Sequence, residues 1–207
     1  MKQRWQGASW ATLGDSITAA NGYQPLVGEA LGFARIDNKG RSGCPLALGT
    51  DRDEGATVRV AEELDEAFDC ITVFAGTNDY RLHIPVGEWK GIGSEFDKNT
   101  FVGAYQFLIE SLLGRFPGSR LSLWTPLQRD KDGFDSTTRN DWGSLLGDYA
   151  DAVRFIGRAY ALPVLDLYAL SGFNKLTLDA FTSDRLHPNE AGHKRIADMA
   201  AAFLATL

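Results

Sequence analysis

Short apolar runs alternate with helix-length amphipathic stretches along this chain, and that alternation constrains the fold more than any other feature. Candidate strands lie at Ser9–Leu13, Ala34–Asn38, Cys70–Ala75, Arg120–Trp124 and Pro163–Asp166. Candidate helices run near Tyr23–Leu31, Thr57–Phe68, Thr100–Phe116, Trp142–Tyr160 and Asn189–Leu204. Strand and helix signals in alternation predict an α/β fold on a mostly parallel sheet. Continuous apolar runs suit strands covered on both faces. One three-layer domain spanning residues 1–207 is therefore expected, since no repeat, low-complexity segment or linker divides the chain.

Charge narrows the function. The formal net charge is −6 over 207 residues, which argues against binding nucleic acid or an anionic membrane through a basic surface. No apolar stretch approaches the ~18 residues of a membrane span. The opening Met1-Lys2-Gln3-Arg4-Trp5 lacks the apolar segment of a secretory leader, so a cytoplasmic protein is the expectation. Cys44 and Cys70 form neither a metal-binding pair nor a disulfide framework. The histidines, His83, His187 and His193, are scattered without carboxylates at ligand spacing, so no zinc site and no cofactor is expected. Two charged stretches read as solvated turns: the mixed Asp51-Arg52-Asp53-Glu54, and Asp130-Lys131-Asp132-Gly133, which lacks the full spacing of a calcium loop.

In open α/β sheets, ligands bind beyond the carboxyl ends of the strands, and four segments at such ends carry chemistry. Ser16, in Leu13-Gly14-Asp15-Ser16, follows the first strand; it is a candidate nucleophile or simply a helix cap. Asn38-Lys39-Gly40-Arg41-Ser42-Gly43-Cys44-Pro45 is a turn with exposed backbone amides, and no histidine stands beside Cys44 in sequence to activate it. Gly76-Thr77-Asn78-Asp79 follows the third strand, where Asn78 can aim an amide donor at a developing oxyanion. Asp79 and Asp15 alternatively form a carboxylate pair of the glycosidase kind. Asp184-x-x-His187-Pro188-Asn189 places a carboxylate three residues before an imidazole. Pro188 biases His187 to an extended conformation, outside the final helix. The alternative is a structural Asp–His pair at a helix start. His193, one turn further on, reads as a surface residue.

Together, Gly14-Asp15-Ser16, Gly43, Gly76-Thr77-Asn78-Asp79 and Asp184-x-x-His187 resemble, in order, the four blocks of the SGNH (GDSL) hydrolase family. The resemblance spans nearly the whole chain. It implies a flavodoxin-like three-layer α/β/α sandwich with a five-stranded parallel sheet, and ester hydrolysis without a metal. It also implies roles: Ser16 as nucleophile, His187 as base and then acid, and Asp184 as the group that orients the imidazole. The Ser16 and Gly43 backbone N–H groups and the Asn78 side chain would hold the oxyanion. Gly43 is preferred to Gly40 because the family's glycine comes last in such a turn.

The substrate is less constrained. Tyr80, Trp89 and Trp124, on or beside irregular segments, are candidate substrate contacts, with packing of the loops as the alternative. No long apolar loop suggests a lipase lid. A short acyl group, acetyl first, on a carbohydrate or similar small polar ester is the expected substrate. A broad acyl esterase or thioesterase, or a lysophospholipase, is the alternative. A non-catalytic carbohydrate-binding relative would be expected to lose Ser16, Asn78, Asp184 or His187. A nucleotide-binding flavodoxin-like protein would need a glycine-rich first turn that is missing here.

Overall fold

The computed structural model describes residues 4–207. Five strands, β1 (Ser9–Gly14), β2 (Arg35–Gly40), β3 (Cys70–Phe74), β4 (Arg120–Trp124) and β5 (Val164–Leu165), form one sheet in the order β2-β1-β3-β4-β5. Every neighbouring pair is parallel. This is the five-stranded α/β architecture expected from the sequence. The order places β1 and β3 side by side, so the segments carrying Ser16 and Asn78 leave the sheet next to each other.

Period-two alternation divides the strand side chains between two layers. Ala11, Leu13, Ile71, Val73, Leu121 and Leu123 point into one core, which also takes in Phe101, Tyr105 and Tyr149. That core is closed by α3 (Thr57–Glu62), α5 (Phe101–Arg115) and α6 (Leu146–Ala159). Trp10, Cys70, Phe74 and Trp124 point the other way, into a second core with α2 (Gln24–Leu31) and α9 (Glu190–Leu204). The second core is aromatic: Trp10, Tyr23, Phe74 and Trp124 pack with ring centroids 5.5–6.4 Å apart. Within it the Trp10 indole N–H donates to Thr72 Oγ1 at 3.0 Å.

Three expectations need correction. β2 is no two-sided apolar strand: it reads Arg-Ile-Asp-Asn-Lys-Gly, is largely half-exposed, and forms an edge whose charges discourage further strand pairing. The helix expected over Thr57–Phe68 stops at Glu62, with Leu64 and Phe68 packing as loop residues. The helix expected from Trp142 starts at Leu146. There the Asn140 side chain accepts from the Trp142 and Ser144 N–H groups and holds a turn through Gly143 at φ +75°. Trp142 is left exposed.

Four short helices lie outside the expected set: α1 (Ser16–Ala19), α4 (Thr77–Arg81), α7 (Leu167–Leu170) and α8 (Leu178–Phe181). At four or five residues each, they are too short to show a hydrophobic period. Two of them start immediately beyond strand ends and carry candidate site residues.

Candidate active site

β1 ends at Gly14, whose missing Cβ leaves room for the Phe74 carbonyl: a Cβ there would stand 2.4 Å from it. The chain can therefore turn while still pressed against β3. Asp15 caps α1, its side chain accepting from the Ile17 N–H at 2.9 Å. Ser16 is thereby the first residue of that turn, and its hydroxyl faces outward into a cleft. Asp15 itself is buried, which pushes its carboxyl up to about 6 despite the Ile17 N–H and the nearby His187.

His187 reaches the same place from the other end of the chain. Arg185 adopts a left-handed backbone (φ +64°), and the turn closes through the Ser183 N–H donating to the His187 carbonyl at 2.9 Å. Asn189 then caps α9 by accepting from the Gly192 N–H at 3.0 Å, so His187 stays outside the helix. The Asp130 N–H donates to the Arg185 carbonyl at 3.0 Å and ties this turn to the segment after β4.

The two ends meet. Ser16 Oγ lies 3.0 Å from His187 Nε2 across 171 residues of sequence. His187 Nδ1 lies 2.8 Å from Asp184 Oδ2, and the second carboxylate oxygen accepts from the His187 N–H at 2.7 Å. A hydroxyl bonded to an imidazole, itself bonded to a carboxylate, is the arrangement that lets a serine lose its proton as it attacks. Partial burial raises the Asp184 pKa, but the Lys131 ammonium and the His187 contacts outweigh it and hold the carboxyl well below its ordinary range. Lys131 Nζ sits 2.5 Å from the same Oδ2 that faces His187.

The remaining expected donors converge on the cleft. Gly43 has a left-handed backbone (φ +73°) and lines it. Its N–H has no acceptor among the described residues, whereas the Gly40 N–H is taken by Asn38 Oδ1 at 2.9 Å. Gly40 instead packs against α1, where a Cβ would lie 2.3 Å from the Ala19 nitrogen. Asn78, on α4, also lines the cleft, and its Nδ2 donates to the Cys44 carbonyl at 3.1 Å. An amide nitrogen carries two N–H bonds, so one remains for a ligand.

Asp79 turns the opposite way from Asn78. It is buried and accepts from the Leu46 and Ala47 N–H groups at 2.9–3.1 Å, pinning the loop that follows Gly43. Neither Asp15 nor Asp79 lines the cleft, so they do not form a glycosidase pair across it. Cys44 packs at the loop, and burial pushes its thiol up, away from nucleophilic activation.

The expected aromatic contacts are elsewhere. Trp124 is fully buried in the aromatic core. Tyr80 is also buried, its hydroxyl donating toward the Asp135 and Thr138 carbonyls, which packs the irregular 127–141 segment down. Trp89 stacks edge-on against Phe155 and Tyr160, away from the cleft. His193 is no surface residue: it lies half-buried over Tyr23, with Nδ1 unpaired.

The cleft holds about 630 Å³ and is lined by small and polar groups instead. Arg52, Arg81, Lys131 and Asp132 belong to it, and none is among the site residues expected from the sequence. Arg52 and Lys131 sit in the two stretches read as solvated turns, where only tertiary contacts reveal a role. A second cleft, about 700 Å³ between α2 and the start of α9, is lined by Leu26, Asn189, Glu190, Ala191 and Lys194 and contains no nucleophile–base pair. Among the described residues no helix is long and apolar enough to cross a membrane, and no three potential ligand side chains cluster for a metal.

Known proteins share this arrangement of elements. A Lactobacillus plantarum protein of solved structure is 30% identical, with a TM-score of 0.85 over 97% of this chain and 98% of that one. A possible lipase from Chitinophaga pinensis is 23% identical, with a TM-score of 0.78 over 96% and 98%. An acetyl-xylooligosaccharide esterase from Geobacillus is 21% identical, with a TM-score of 0.67 over 98% and 96%. No protein of curated function matches the sequence. The model of the GDSL-like lipase/acylhydrolase family matches residues 12–195, a span that contains Ser16, Gly43, Asn78, Asp184 and His187. The chain belongs to that family of carboxylic ester hydrolases.

Proposed function

We propose that this enzyme removes a short acyl group, acetyl first, from a carbohydrate or similarly polar alcohol, with Ser16 as nucleophile, His187 as base and acid, and Asp184 as the orienting carboxylate. The observation that carries the proposal is the unbroken hydrogen-bond chain from Ser16 Oγ through His187 to Asp184, with Ser16 and His187 lining an open cleft. Ser16 Oγ would attack the ester carbonyl carbon as its proton passes to His187 Nε2. The carbonyl oxygen then gains negative charge facing the Ser16 and Gly43 backbone N–H groups and the Asn78 amide. Collapse of that intermediate breaks the bond to the alcohol oxygen, which takes the proton back from Nε2. Water, activated by the same imidazole, releases the acyl group as its acid and restores Ser16.

Two features favour a short acyl group. Only Ala19, Ala20 and Leu186 among the lining residues carry apolar side chains, few partners for a long acyl chain. The similarity to an acetyl-xylooligosaccharide esterase points the same way for the alcohol. The aromatic residues expected to stack on a sugar do not contribute, so polar lining groups would carry recognition.

The test is turnover of p-nitrophenyl acetate and butyrate by wild type and Ser16→Ala. Loss of the nucleophile is expected to lower kcat by several orders of magnitude, on the order of 10⁴ or more, and acetate should be preferred to butyrate. Equal rates for the two proteins would refute the mechanism. Faster hydrolysis of long acyl esters would refute the substrate class.

A further inference from the structure

The chain carries a formal charge of −6, yet its cleft is lined by Arg52, Arg81 and Lys131 against the one carboxylate Asp132. Lys131 is neutralised by Asp184. The two arginines are not neutralised. Arg81 has no carboxylate within 4.0 Å among the described residues, and its nearest acceptor is Asn78 Oδ1 at 3.4 Å. Arg52 has only Asp51 at 3.9 Å, and that carboxylate is itself 88% exposed. Placement is as telling as charge. A Cβ on Gly43 would stand 2.5 Å from Arg52 Nη1, so this guanidinium occupies the space that the glycine leaves open. One arginine thus stands against each of the two residues, Gly43 and Asn78, that flank the reacting carbonyl in the proposed mechanism.

We propose that Arg52 and Arg81 recognise an anionic group on the substrate, so that the preferred esters of this site carry a carboxylate close to the scissile bond. The inference rests on the ester-hydrolase reading and names the substrate class within it. A guanidinium presents planar paired donors that match a carboxylate and stays charged at any working pH. The alternative, that the arginines stabilise the oxyanion, is the weaker one: that charge already has three donors in Ser16, Gly43 and Asn78. The anion can reside on the acyl part, as in a dicarboxylic half-ester, or on the alcohol, as in an acetylated uronic or hydroxy acid.

The experiment compares matched esters. For the alcohol side, 4-acetoxybenzoate is set against its methyl ester; for the acyl side, mono-p-nitrophenyl glutarate is set against p-nitrophenyl butyrate. Wild type should favour the anionic member of at least one pair in kcat/KM, and that preference should shrink as NaCl is raised. In the Arg52→Gln/Arg81→Gln double variant the anionic-to-neutral ratio should fall about tenfold or more, as expected for the loss of charge-assisted bonds to one carboxylate. A ratio unchanged by the double substitution would overturn the proposal. So would equal losses on anionic and neutral esters, which would assign the arginines to the oxyanion. Binding of glutarate and of 4-hydroxybenzoate to Ser16→Ala by calorimetry separates this from the hydrolase reading. Arginine-dependent binding without wild-type turnover of any ester would sink the catalytic mechanism alone. Neither anion binding more tightly than its neutral amide would sink the anion site.

Discussion

Asp79 offers the sharpest test of how the site is supported, because its carboxylate anchors the loop that carries Gly43. Two buried backbone donors, the Leu46 and Ala47 N–H groups, depend on it. Asp79→Ala leaves both without a partner, and each stranded donor costs about 1–3 kcal/mol. Relief from no longer burying a carboxyl offsets part of that, so a net loss of about 2–5 kcal/mol is expected. At about 2–4 °C per kcal/mol for a chain of this size, Tm should fall roughly 4–20 °C. Asp79→Asn keeps a carbonyl oxygen that both donors can share, and should cost about 1 kcal/mol. The pH dependence separates the two effects. Burial raises the Asp79 carboxyl from 3.8 to about 7, against the pull of the backbone N–H groups. Between those values the folded protein holds a proton that the unfolded chain releases. The Asp79 contribution is therefore greatest below pH about 4 and declines as pH rises through about 7. Asparagine cannot ionise and escapes that decline, so the Tm difference between wild type and Asp79→Asn should shift in the variant's favour from about pH 5 to about pH 8. Thermal melts followed by circular dichroism across that range are the assay. An Asp79→Ala protein that melts within about 2 °C of wild type, or an Asn gap independent of pH, would refute the anchoring argument.

Two further outcomes follow from the site geometry. Asn78→Ala removes an amide donor from the cleft and should lower kcat by about 10²–10³ with little change in KM, measured on p-nitrophenyl acetate; an unchanged kcat would remove Asn78 from the oxyanion site. Asp184→Asn should lower kcat by about 10⁴, since the imidazole loses the acceptor that selects its tautomer. The Asp184 carboxyl is held below its ordinary 3.8, so its stabilising contribution is complete above pH about 4 and is lost as pH falls further. Acid unfolding followed by circular dichroism should accordingly show the stability gap between wild type and Asp184→Asn closing below pH about 4.

The sheet was legible in the sequence because four of its strands are apolar enough to mark themselves. β2 was placed correctly but its character was not, since an edge strand tolerates charge that a central one does not. Ser16 and Asn78 were legible because a strand end, a breaker residue and a reactive side chain coincide at each, and His187 because Asp184 stands three residues before it and Pro188 directly after it. The cations were not. Arg52, Arg81 and Lys131 reach the cleft only when the segments after β2, β3 and β4 come together, and nothing local separates such residues from solvated ones. The aromatic residues failed for a different reason. Trp124 shares its strand face with Ser122, opposite Leu121 and Leu123, so the pleat points it into a helical layer rather than out of the sheet's end. Residue type suggested a sugar platform; strand parity decides otherwise.

The two layers also carry separate optical labels. Trp5, Trp10 and Trp124 all lie in the layer formed with α2 and α9, while Trp89 packs against the opposite layer. Three of the five tryptophans therefore report on one side of the sheet, the exposed Trp142 belonging to neither core, and the change in their emission on unfolding follows the fate of that side. A Trp89-only signal would report the other side, which contains the loop anchored by Asp79. Whether the two layers part company or melt as a unit is thus readable from the chain's own chromophores, since coincident transitions from separate probes are the mark of a single cooperative unit.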